Sequence, residues 1–145
     1  MSNLINMSEA AFLALHSLAL IVDAQPQRLN TKILAEKLQA SQAHLAKVFQ
    51  KLAKADIVRS VRGPAGGIEL NQPADQISFL EIFEVIEGKI NLQKCFLGKQ
   101  QCPFDKCIFA DKMSGINQEI YQVYAKMKLS DLQKNLLDGS IKQKA

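Results

Sequence analysis

Apolar residues recur at helical spacing over the first third of the chain. Phe12, Leu15, Ala19 and Val22 fall on one stripe, and Ser8 stands where a helix cap belongs. The spacing predicts a helix from Ser8 to about Asp23, broken by Gln25-Pro26-Gln27. A second helix opens at Asn30 or Thr31, with Ile33, Leu34 and Leu38 apolar. Gln39-Ala40 makes a turn. Ser41 caps a third helix to about Ala55, whose inward stripe is Leu45, Val48, Phe49 and Leu52.

The period then changes. Residues 57–61 read as a strand, residues 62–67 as a Gly-rich tight turn, and residues 68–70 as the returning strand. Pro73 ends the hairpin. Residues 77–90 predict another helix, with Leu80, Phe83, Val85 and Ile86 apolar. Residues 92–108 lack periodicity and read as a loop. Residues 109–128 predict a long helix with Met113, Ile116, Ile120, Val123, Tyr124 and Met127 on one stripe. Ser130 caps a last short helix containing Leu132 and Leu136, and the tail from Lys142 frays. The expected fold is mainly α with a small β-hairpin.

Composition bounds the function classes. The 145 residues hold 48% hydrophobic and 22% charged positions, ordinary for a globular domain. Three cysteines argue against a secreted disulfide framework. The longest apolar stretch, residues 10–22, is too short to span a bilayer, and no basic residue precedes Arg28. A cytoplasmic protein without membrane contact is expected.

The net charge of +4 is unevenly spread. Residues 28–62 carry Arg28, Lys32, Lys37, Lys47, Lys51, Lys54, Arg59 and Arg62 against Glu36 and Asp56, a net +6. Residues 63–93 carry −4. A compact positive block suits phosphates, although a charge count alone fits a solvated lysine-rich face equally well.

The second and third helices add specificity to that block. Leu34 to Leu38, a two-residue turn, and Ser41 leading to Leu45, Val48 and Leu52 follow helix-turn-helix grammar. Ala35 is small enough for a close helix crossing. Gln39 departs from the pattern, since Gly is common where the turn needs a positive φ. On the third helix Ser41, Gln42, His44, Lys47 and Lys51 are candidate DNA contacts. Gln42 can read adenine, His44 a base or a phosphate, and the two lysines phosphates. The hairpin that follows gives winged-helix order. Its Gly66 and neighbouring glycines permit the sharp turn, and Arg59 and Arg62 project toward the backbone or a narrow minor groove. A nucleotide loop is disfavoured, because the turn lacks the Gly-Lys-Ser/Thr ending and precedes a strand.

Cys95, Cys102 and Cys107 fall within 13 residues, flanked by Lys94, Lys99 and Lys106. Nearby cations favour thiolates. The spacing admits an iron–sulfur centre or redox thiols, and disfavours a C-x2-C zinc knuckle. Four donors are usual for an iron–sulfur centre, so one is missing. Ala110 stands where a His three residues after Cys107 would have supplied it. On the first helix, His16 reads as a half-buried structural residue and Glu9 as a first-turn acid. No catalytic constellation or small-molecule substrate site stands out, so an enzyme is not expected.

With these elements in view, the chain resembles the IscR/NsrR-type (Rrf-two) family of winged helix-turn-helix regulators. The resemblance runs from Ile5-Asn6-Met7-Ser8 to Leu129-Ser130-Asp131-Leu132. It is most specific at Ser60-Val61-Arg62-Gly63-Pro64-Ala65-Gly66-Gly67 and at the cysteines. It implies a homodimer on a palindromic double-stranded operator, joined by a long C-terminal dimerisation helix. Residues 1–75 would form the DNA-binding domain and residues 76–145 the cysteine loop and dimerisation region. It implies a 2Fe–2S or 4Fe–4S cluster on Cys95, Cys102 and Cys107, sensing redox state, nitric oxide or iron–sulfur supply. Some members take an acid from the first helix of the partner subunit; here that position is Phe12. His16 aligns with a His ligand of one 2Fe–2S member and leads as fourth ligand, with Glu9 second. Two alternatives remain: a DNA-binding thiol switch without a cluster, and a protein-interaction module that docks a metabolic enzyme.

Overall fold

The computed structural model describes residues 7–92, 103–109 and 112–132. The elements run α1 (Glu9–Ala24), α2 (Thr31–Leu38), α3 (Gln42–Lys54), β1 (Val58–Val61), β2 (Gly67–Leu70), α4 (Phe79–Glu87) and α5 (Lys112–Lys126). Three helix starts follow the expected caps. Ser8 Oγ accepts from Ala11 N, Asn30 Oδ1 from Ile33 N, and Ser41 Oγ from His44 N. Each satisfies an amide that the first helical turn leaves without a partner.

Helix α1 is the centre of the core. Its buried face is Ala11, Ala14, Leu15, Leu18, Ile21 and Val22 with Leu13, and it packs on α2, α3, α4 and β2. Phe12 departs from the expected stripe and is 43% exposed. At 100° per residue Phe12 falls on the side of α1 away from the face centred on Ala14, Leu18 and Ile21, so burying that face turns Phe12 outward. The stripe of α3, Leu45, Val48, Phe49 and Leu52, is buried as expected. Ile57, Ile68, Ile77, Ile82, Ile86 and Leu129 complete one apolar cluster. Residues on both sides of position 75 share it.

The hairpin pairs β1 and β2 antiparallel, with Arg59 opposite Glu69 and Val61 opposite Gly67. Ile68 N donates to Leu29 O at 2.9 Å, which fastens the hairpin to the α1–α2 connection. A Cβ on Gly66 would sit 2.4 Å from Val61 O and 2.8 Å from Gly63 O, so only glycine fits that corner. Gln39 adopts the left-handed conformation that its turn requires, φ 51° and ψ 43°.

Two expected boundaries move. Helix α4 spans nine residues and not the expected 77–90. Ser78 Oγ accepts from Glu81 N and starts it, while Gly88 at φ 95° ends it. Ile77 stays outside, where its carbonyl accepts from Leu129 N at 2.9 Å. The last helical turn begins at residue 129, one position before the expected cap at Ser130. Asp131 Oδ2 accepts from Lys128 N, which caps the turn from within, and Ser130 N is drawn instead to Ala74 O. Leu136, the tail expected to fray and most of the expected loop 92–108 lie outside the described residues.

Candidate nucleic-acid interface

Helices α2 and α3 form the expected helix-turn-helix, and the β1–β2 hairpin follows it as a wing. The faces of α3 are set by its buried stripe. Ala43, Lys47, Gln50 and Lys54 stand farthest from that stripe at 100° per residue, and all four are exposed. Ala46 and Ala53 flank Gln50 on the side of the wing. With Asn30, Thr31, Ser60, Val61 and Gly67 they line a groove of about 460 Å³ between α2, α3 and the hairpin.

The other flank of α3 turns toward α1 and α4. His44 Nδ1 lies 3.8 Å from Glu9 Oε1. Lys51 Nζ donates to Ile86 O at 3.0 Å, at the carbonyl end of α4. Of the α3 residues picked out in the sequence, Ser41 is occupied as a cap, and His44 and Lys51 have partners within the fold. Gln42 and Lys47 are exposed. Gln50 and Lys54 were not among the residues picked out. The α3 stripe already placed them outward, and a helical wheel would have found them.

The two wing arginines differ. Arg59 donates from Nε to Glu69 Oε1 at 2.6 Å, and its Nη2 lies 2.5 Å from the same oxygen. Arg28 Nε donates to Glu69 Oε2 at 2.6 Å. Hydrogen bonds from Arg28 first and Arg59 second hold the Glu69 carboxyl below its usual range. Arg62 stands free of any such pairing. With Lys47 and Lys54 it has no side-chain partner among the described residues. On α3 and the wing, among the described residues, these three cations are available to an external anion, and Lys32 and Lys37 on α2 are likewise exposed.

The cysteine region is described in part. Cys107 is a free, half-buried thiol, and Cys95, Cys102 and Ala110 lie outside the described residues. Among the described residues no three His, Cys, Asp or Glu side chains gather as a metal site. His16 is exposed and stacks on Phe12 with ring centroids 3.8 Å apart. Its Nδ1 lies 2.8 Å from Phe12 O, and a carbonyl can only accept, so Nδ1 carries the proton. In the neutral ring this leaves Nε2 with its lone pair, the orientation a ligand histidine needs. Glu9 is exposed beside His44.

No residue of helix α5 is fully buried, although Tyr124 lies against Phe83 of α4 with ring centroids 5.6 Å apart. Ile116 and Val123, one heptad apart, are 46% and 50% exposed. Among the described residues no helix is long and apolar enough to cross a membrane.

Comparison with known proteins agrees with this architecture. The family model for Rrf2, iron-dependent transcriptional regulators, matches residues 7–135. The regulator NsrR of Oceanobacillus iheyensis is 33% identical over 108 residues, covering 73% of this chain and 74% of its own length. The regulator IscR of Cereibacter sphaeroides is 28% identical over 128 residues, covering 86% and 83%. In fold, the chain is similar to CymR, the global cysteine regulator of Bacillus subtilis, with a TM-score of 0.75 and 21% identity over 90% of this chain and 98% of that one. The named relatives are transcriptional regulators, a non-enzymatic function. The chain belongs to the Rrf2 family of transcriptional regulators.

Proposed function

We propose that this regulator acts in the cytoplasm as a homodimer on a palindromic DNA operator, and that an iron–sulfur cluster sets its affinity. The observation that carries the DNA-binding part is one outward surface of α3 and the wing. It exposes Lys47, Lys54 and Arg62 beside the polar side chains of Gln42 and Gln50. Cations there release counterions from the duplex, and the amides supply base readout. Ser41 fixes the start of α3, and Gly66 shapes the wing.

The dimer reading is supported by Ile116 and Val123, two apolar side chains exposed one heptad apart on α5. The cluster reading is supported by three cysteines within 13 residues, by the iron dependence in the family's description and by the ring orientation of His16. Cys95, Cys102 and Cys107 would hold the cluster, with His16 as fourth ligand. When bound, it supplies a redox- and ligand-sensitive centre whose gain or loss biases two states of the protein. Coupling of about 1–3 kcal/mol changes operator affinity by roughly 5- to 150-fold, and DNA then changes cluster affinity by the same factor.

Titration of operator DNA against salt tests the DNA-binding part. Lys47→Ala and Arg62→Ala are each expected to reduce the log–log salt slope by about 0.9 per subunit, about 1.8 for the homodimer, since each subunit of the variant neutralises one phosphate fewer. An unchanged slope and affinity in both variants removes this face from the interface.

A further inference from the structure

Helix α3 beyond its first turn offers only one uncharged polar side chain, Gln50. Ala46, one turn earlier, and Ala53, one turn later, are small. On the side of the wing Gln50 therefore has only small residues of its own helix beside it. It is exposed and lines the groove shared with Thr31, Ser60 and Val61, so recognition helix and wing both border the space it enters. Its neighbours on the outermost face, Lys47 and Lys54, are point charges suited to phosphates. An amide is different. It presents a donor and an acceptor in one plane, the pattern that matches adenine N7 and the N6 amino group in the major groove.

We propose that Gln50 is a specificity-determining residue, reading an adenine in each half of the operator from the groove between α3 and the wing. The proposal rests on the DNA-binding function above and deepens it. Gln42 and Gln50 are eight residues apart, about 12 Å along the helix. That is about the width of the major groove, so the two amides address different base pairs. Ala46 between them lets the duplex approach the helix axis closely. Gln50 has no packing role in the core, so its replacement leaves the fold intact.

The test is selection of binding sites from a random duplex pool by the full chain, prepared with and without anaerobic cluster reconstitution. Wild type and Gln50→Ala are run in parallel, followed by affinity measurements on the selected site. The expected result is a motif in which Gln50→Ala loses an adenine preference of about 5- to 150-fold at one symmetric position. All other positions and the salt slope stay as in wild type. Gln50→Glu is expected to shift that position toward cytosine, whose N4 donates to a carboxylate. If Gln50→Ala selects the wild-type motif, whether at full affinity or with a uniform loss on every sequence, the specificity role is overturned. A uniform loss would mark a phosphate contact. If wild type itself selects no motif in either preparation, the DNA-binding function fails, and the role of Gln50 with it.

Discussion

Lys51 on α3 donates through its ammonium to the carbonyl of Ile86, at the end of α4, across 3.0 Å. The same end of α4 is held by Ser8, whose hydroxyl donates to the Glu87 carboxylate. Three helices thus meet where the chain leaves α4 for the cysteine segment. A cation at a helix C-terminus also meets the negative end of the helix dipole.

Lys51→Met keeps the aliphatic stem and removes the donor. It is expected to cost about 0.5–1.5 kcal/mol of stability in chemical denaturation. The salt slope of DNA binding is expected to stay at the wild-type value, because the ammonium is spent on Ile86. A slope reduced by about 0.9 per subunit, about 1.8 for the homodimer, would show instead that Lys51 leaves the brace for a phosphate.

The Glu69 clamp gives the wing a pH response in acid only. Glu69 has a lowered pKa because Arg28 and Arg59 hydrogen-bond its charged form. A carboxyl with a depressed folded-state pKa contributes stability that is present above its unfolded value and lost as pH falls through its folded value. The usual value is 4.5, so the clamp is intact from neutral pH to about that point and opens below it. Side-chain carboxyl NMR is expected to place the Glu69 midpoint below 4.5, and a midpoint at or above it contradicts the clamp. Glu69→Gln removes the negative charge between two guanidinium groups. Binding of DNA by this variant is expected to tighten at low salt and to depend more steeply on salt.

Two backbone positions predict opposite changes in stability. Gln39→Gly relieves a left-handed conformation that costs an L residue about 1–2 kcal/mol. Part of that is offset by the extra freedom of glycine in the unfolded chain, so a gain of up to about 1 kcal/mol is expected. Gly66→Ala brings a methyl group against two backbone carbonyls and is expected to cost about 1–3 kcal/mol. Thermal melts of both variants check the signs, and Gly66→Ala should also weaken DNA binding.

Ile116→Asp with Val123→Asp places two charges on the open face of α5. Neither residue is buried in the single chain, so helix content should be kept. Sedimentation is expected to show a dimer for wild type and a monomer for the double variant. A dimer that survives both charges would move the interface off α5.

Anaerobic purification with iron and sulfide analysis addresses the cysteines. The wild type is expected to show thiolate-to-iron absorption, Cys107→Ala to lose it, and His16→Ala to shift its spectrum or speed its loss. A colourless, iron-free protein after reconstitution, together with a disulfide formed by peroxide, would support the thiol switch instead.

The helix-turn-helix was legible in the chain because local rules act within a few residues. Ser8, Asn30 and Ser41 cap helices through amides three positions on, and the α3 stripe follows from its own period. The wing followed from Gly-rich turn chemistry between two short strands. Even the strained Gln39 was visible as a departure from the pattern.

What the sequence could not supply were relationships between distant residues. Phe12 fits an apolar stripe as well as its neighbours do, and the packing of α1 on four other elements turned it outward. Helix α4 was shortened at its start because the returning chain claims the backbone of Ile77. Lys51 and Arg59 look like free cations in a charge count, yet one is bound 35 residues away and the other across the hairpin. Local propensity and periodicity determined which elements form. Only the tertiary contacts decided which charges and amides remain open to a partner, because that depends on what the fold has already paired.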